Sequence, residues 1–182
     1  MSEEDVIAAT REWIEKAVIG LNLCPFAKAV YVKNQVRYVV STAPHLDGLL
    51  EDLDRELDFL AAADPADVDT TLLIHPTLLE DFLDFNDFLQ IAEAAVGEHG
   101  LDGVIQVASF HPRFQFEGTA PDDIGNYTNR APFPTLHLLR EASIERAVAA
   151  FPEAETIYQR NIETLERLGH AGWDALWEKP AD

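Results

Sequence analysis

The stretches Thr70-Thr71-Leu72-Leu73-Ile74-His75-Pro76 and Val104-Ile105-Gln106-Val107-Ala108-Ser109-Phe110-His111-Pro112 decide the fold class. Each is a short apolar run that stops at the same dipeptide, His-Pro, and reads as a buried strand. Between them, Leu78 to Val96 has helical spacing and closes at His99-Gly100, where glycine suits a left-handed helix end. Strand, single helix, strand is the pattern of a βαβ crossover, and hence of a parallel pair. Working backwards, Leu46, Leu49, Leu50, Leu53, Leu57 and Leu60 mark a helix over 46 to 62. Before Pro44, two apolar runs at 29–32 and 36–41 flank Asn34-Gln35 and read as a hairpin. Residues 3–19 predict an amphipathic helix, with Ser2 and Asp5 spaced as a capping box and Gly20 as its end. Working forwards, residues 136–150 and 153–168 predict two more helices, Pro152 suiting the start of the second. The expectation is a single α/β domain over residues 1–182. It has a mixed, mainly parallel sheet of three to four strands, an antiparallel edge from the hairpin, flanking helices and a helical C-terminal part.

Charge narrows the range of partners. The chain carries 33 acidic and 13 basic residues, a formal net charge of -20. Such a field repels phosphate backbones and anionic lipid heads, so neither nucleic acid nor a membrane is expected as a partner. The acidic residues are scattered over helix faces, in keeping with a salt-adapted, halophile-like composition in which carboxylates keep the protein soluble. No apolar stretch is long enough to cross a membrane, and the first residues are acidic where a leader would be basic. The lone cysteine, Cys24, excludes an internal disulfide and a Cys-only zinc site. A cytoplasmic protein is expected.

Candidate chemistry gathers at the expected sheet rim, because ligands of parallel α/β sheets bind beyond the carboxyl ends of the strands. His75 and His111 both end strands there, as loop caps bonding backbone carbonyls or as a base or metal ligands. Cys24 precedes Pro25, which favours a first helical position; a thiol at a helix N-terminus is acidified and nucleophilic. Its other reading is a small buried residue. Residues 117–135 contain three prolines, two glycines and no periodic run, and loops of that length are usually functional or disordered. Asn126, Asn129 and Arg130 in that loop, with Arg140 beyond it, offer amide and guanidinium groups to an anion. On the expected helix His137, Arg140 and Glu141 share a face. The common nucleotide, zincin and hydrolase motifs are absent. A metal site would have to assemble from distant ligands such as Cys24, His75, His111 and His137, a set suited to zinc or another first-row metal.

Gly20-Leu21-Asn22-Leu23-Cys24-Pro25-Phe26, Ser109-Phe110-His111-Pro112 and Asn129-Arg130-Ala131-Pro132-Phe133-Pro134, followed by Leu136-His137-Leu138-Leu139-Arg140-Glu141, resemble an uncharacterised bacterial family of unknown function, DUF1415. The resemblance spans nearly the whole chain and implies kinship without a reaction. The functional expectation therefore rests on the residues. It is a small-molecule enzyme in which Cys24 is nucleophile or ligand, His111 is base or ligand, His75 and His137 assist, and Asn126, Asn129, Arg130 and Arg140 orient an anionic substrate. Its alternatives are a non-catalytic metal or anion sensor using the same residues, and a protein-docking module built on the polar loop with Trp173 and Trp177.

Overall fold

The computed structural model describes residues 1–181. Helix α1 (Glu3–Trp13) starts with the expected capping box: Ser2 Oγ accepts from the Asp5 N–H (3.1 Å), and the Asp5 carboxylate accepts from the Ser2 N–H (2.9 Å). It continues without a break into a π-helical segment, Ile14–Ile19, then α2 (Ala27–Val32), β1 (Val36–Val40) and α3 (Leu46–Ala62). Next come β2 (Thr70–Ile74), α4 (Phe82–Glu98) and β3 (Ile105–Phe110). A 3-10 turn at Ile124–Asn129 leads to β4 (Thr135–Arg140), α5 (Glu141–Ala150) and α6 (Ile157–Ala175). Gly169, at φ 68, kinks α6 in a backbone conformation that favours glycine.

The fold is α/β, as expected, with one four-stranded sheet in the order β1-β2-β4-β3. β1 and β2 are parallel, while β4 runs antiparallel to both β2 and β3. The sheet is therefore mixed and not mainly parallel in its pairings, although β1, β2 and β3 all point the same way. Two local expectations are overturned. Residues 27–32 form α2, so there is no hairpin, and the antiparallel strand is internal instead of at an edge. The helix expected from residue 136 begins at Glu141, because residues 135–140 fill the gap between β2 and β3 as β4. That setting satisfies backbone groups on both sides, a reward no local propensity can match.

Strand alternation gives the sheet two distinct faces. Leu73, Ile105, Leu136 and Leu138 meet the Leu49-Leu53-Leu57-Leu60 stripe of α3 and Phe85, Phe88 and Ala92 of α4. Each of those leucines is fully or almost fully buried, worth about 2 kcal/mol apiece by area. Arg37, at the edge strand, forks onto Glu56 of α3 (2.8 and 3.2 Å) and lies over the Phe59 ring. The opposite face, with Leu72 and Ile74, is covered by Val6, Trp13 and Ala17, together with Leu165 and Trp173 of α6. Trp173 packs edge-on against Tyr127 and Trp177, which places it in the core and not on an outer docking surface. Coverage of this second face is incomplete over part of the sheet, and that gap positions the site.

Candidate ligand-binding site

The two His-Pro histidines reach the same rim but serve the fold. His75 Nδ1 accepts from the Thr77 and Leu78 N–H groups (3.1 and 2.8 Å), so Nε2 carries the proton and donates to the Ala43 carbonyl (2.8 Å). His111 Nδ1 accepts from the Arg113 N–H (2.9 Å), and Nε2 donates to the Leu79 carbonyl (2.8 Å). Together they pin the loop between β2 and α4, where Leu79 has a left-handed φ of 61. Both rings are buried with both nitrogens in use, and His111, whose pKa burial lowers, lies against Phe82 and Phe85. In both, the two ring nitrogens are taken up by backbone groups.

The Asn and Arg groups of the long loop are likewise committed to backbone. Asn126 is fully buried; its Oδ1 accepts from the Phe116 N–H and the Thr119 hydroxyl (2.9 and 3.0 Å), while its amide donates to the Ala120 carbonyl (2.8 Å). Asn129 donates to the Ser109 carbonyl (3.1 Å). Arg130 donates to the Phe114 and Pro121 carbonyls and stacks on Tyr127. Arg140 is at the opposite rim, donating to the Ala63 and Val68 carbonyls (3.0 and 2.8 Å). These four residues therefore do not converge on an anion. His137 and Arg140 also lie on opposite faces of a strand, which corrects the shared helical face expected of them.

His137 and Cys24 do come together, on the second face of the sheet. A cavity of about 900 Å³ opens there between the π-helical segment, α2, the sheet and α5, and both residues line it. Its walls are mostly apolar, including Trp13, Ile14, Leu72, Phe110 and Ile144, and its width is kept by small residues such as Ala108, Ala147 and Ala150. The π-helical register, with Gly20 N–H reaching back to the Glu15 carbonyl (3.0 Å), sets Ile14 and Val18 on this wall. Gly20 is obligatory: a Cβ there would lie 2.3 Å from the Lys16 carbonyl oxygen.

The polar centre of the floor is the pair Thr70–His137. Thr70 Oγ1 donates its single proton to the Leu138 carbonyl (2.7 Å), so it can only accept from the imidazole (2.7 Å). Nε2 of His137 therefore carries the proton and Nδ1 is a bare acceptor. Nδ1 has no partner among the described residues and is not sealed from the cavity. Desolvation pushes the His137 pKa down to about 4, so the ring is neutral at physiological pH. Burial also pushes the Cys24 thiol up, outweighing the opposing pull of the Phe26 and Ala27 N–H groups, which favours the buried, protonated reading of this residue over the acidified one. At the cavity's far lip Ser143 donates to Asp69 (2.7 Å) and Arg146 donates to Ser143 (3.2 Å).

Cys24 and His111, the expected catalytic pair, are separated by the sheet, and His75 and His111 are separated from His137 in the same way. Among the described residues no three His, Cys, Asp or Glu side chains converge as a metal-binding group. Beyond Cys24 and His137, the cavity walls carry no motif in the sequence. Their signal was the alternation Thr135-Leu136-His137-Leu138, which puts His137 with Thr135 on one face and the leucines on the other.

Fold and cavity define a class: an α/β protein whose sheet has one closed face and one face with a large, mostly apolar cavity that holds, among the described residues, one unpaired imidazole acceptor. The chain belongs to the family described as protein of unknown function (DUF1415), which it matches over residues 5–175. No curated protein and no solved structure matches it. Among the described residues no helix is long and apolar enough to cross a membrane.

Proposed function

We propose that the protein binds a small, largely apolar molecule in the sheet-face cavity, oriented by a donor group on His137 Nδ1. The observation that carries this reading is an imidazole acceptor, without a partner among the described residues, facing a mostly apolar cavity of about 900 Å³. Ligand pockets are commonly of this size and composition, with few polar groups placed to fix orientation. A neutral imidazole gains most from a neutral donor, since no charge has to be desolvated. Cys24 joins His137 in the site as a polarisable, protonated wall residue, replacing the Cys24–His111 pair expected from sequence. A single free thiol accords with a reducing cytoplasm.

The neutral fluorophore N-phenyl-1-naphthylamine, two apolar ring systems joined by one N–H, is a suitable probe. Titrated into the wild type it should show saturable enhancement at one site. Ala108→Phe, which fills the floor beside His137, and Ala147→Trp, which fills it from α5, should each abolish the signal while the fold persists by circular dichroism. Removing only the acceptor, His137→Phe, should weaken binding about tenfold, the equivalent of one net hydrogen bond. No saturable signal from folded wild type, or equal binding in both filled variants, would overturn the proposal.

A further inference from the structure

A second, more polar cavity of about 300 Å³ lies beside the first, and Pro25 and Phe151 line both. They stand where the two cavities adjoin, with Phe26 edge-on to Phe151 at 5.9 Å. Beyond them, α6 presents Arg160, Asn161, Thr164 and Arg167, spaced so that they share one stripe of the helix. Asn161 is buried, and its amide donates to the Leu23 carbonyl (2.8 Å), fixing the arginine-bearing helix to the turn that carries Asn22 and Pro25. The remaining polar group is Glu163, which lies beyond ion-pair distance of both arginines.

Neither arginine is held as firmly as Arg37, Arg130 and Arg140 are. Arg37 forks onto a carboxylate, and Arg130 and Arg140 are committed to carbonyls. Arg160 has a loose, exposed contact with Glu153 at 3.7 Å and lies 6.0 Å from the centre of the Phe151 ring, and among the described residues Arg167 has no carboxylate within ion-pair distance. Two guanidinium groups two helical turns apart on one stripe of α6 line the same cavity and have donors left for an external anion. The -20 field opposes an anion at long range, but it is screened beyond about 8 Å at physiological salt, while contacts inside the cavity are not.

We infer that the natural ligand is an amphiphile: an apolar body, bearing the donor to His137 Nδ1, in the sheet-face cavity, and an anionic head, carboxylate or phosphate, reaching past Pro25 and Phe151 to Arg160 and Arg167. This rests on the reading of the sheet-face cavity as a binding site. It also keeps the anionic ligand expected from sequence while moving its anchor to different arginines.

The test is displacement of bound N-phenyl-1-naphthylamine by decanol, decanoate and decyl phosphate, which share a chain and differ in the head. In the double variant Arg160→Gln/Arg167→Gln, both positions being exposed, decanol should displace the probe as in the wild type. The affinity of at least one anionic ligand relative to decanol should fall about tenfold or more, and Arg167→Gln alone should give an intermediate loss. Loss for decanoate only, or decyl phosphate only, would assign the head group. If decanol competes and neither anion responds to the arginines, the head-group inference is overturned and the cavity reading stands. If neither the probe nor any of the alkyl ligands binds, the cavity reading itself is overturned, and this inference with it.

Discussion

His137 shows how one side chain ties stability to the state of a site. Its pKa falls from the ordinary 6.5 to about 4 in the folded protein. Between those values the unfolded chain binds a proton that the native protein does not, so stability contributed above pH 6.5 is lost as pH falls toward 4. At 1.36 kcal/mol per unit the loss approaches about 3 kcal/mol. Urea unfolding of wild type and His137→Gln across that range should show a steeper acid loss in the wild type; parallel curves would refute the buried, neutral assignment. His111 gives the contrasting case. His111→Ala leaves the Leu79 carbonyl and the Arg113 N–H without partners and opens space beside Phe85, costing about 3 kcal/mol in urea unfolding. Binding of the fluorophore, on the other side of the sheet, should be unchanged where the variant remains folded. A loss of binding in folded His111→Ala would return this histidine to the site.

At the scale of elements, the long loop is ordered by its own polar groups. Asn126 closes three side-chain hydrogen bonds across residues 116–126, and Asn126→Ala should cost about 2 kcal/mol, with faster hydrogen exchange at the Phe116 amide. Unchanged exchange there would show that the loop is held by other contacts, such as Tyr127 on Trp173. The elements that were legible in the sequence are those where local pattern and tertiary setting agree. The leucine stripe gave α3, and the apolar run at Thr70–Ile74 gave β2. Two stretches misled for physical reasons. Ala27–Val32 carries Val30, Tyr31 and Val32, strand formers by propensity, yet it packs as α2 against the π-helical segment. Leu136-His137-Leu138-Leu139-Arg140 fits both helical and alternating periods, and only the open slot between β2 and β3 decides in favour of a strand. The candidate site was legible only in part for the same reason. Cys24 and His137 were marked, but their meeting depends on β4, and Thr70, Ala108 and the arginines of α6 carry no local motif.

For the whole molecule, a net charge of -20 on 182 residues sets a self-repulsion that salt can relieve. The melting temperature should rise as sodium chloride goes from about 0.05 M to about 1 M, over which the screening length falls from more than 10 Å to about 3 Å. A flat or falling curve would show that the acidic surface is already balanced locally, as Arg37 is by Glu56. The sheet order adds a consequence for how the chain is made. β2 and β3 never touch; the slot between them is filled by residues 135–140, which leave the ribosome after both. Until then two strand edges stay open, and closure joins partners as distant as Thr70 and Leu139. Such long-range pairing is slow, and open edges are sticky. The nascent chain thus passes through an interval in which its sheet is split down the middle, and the last strand synthesised is the one that seals it.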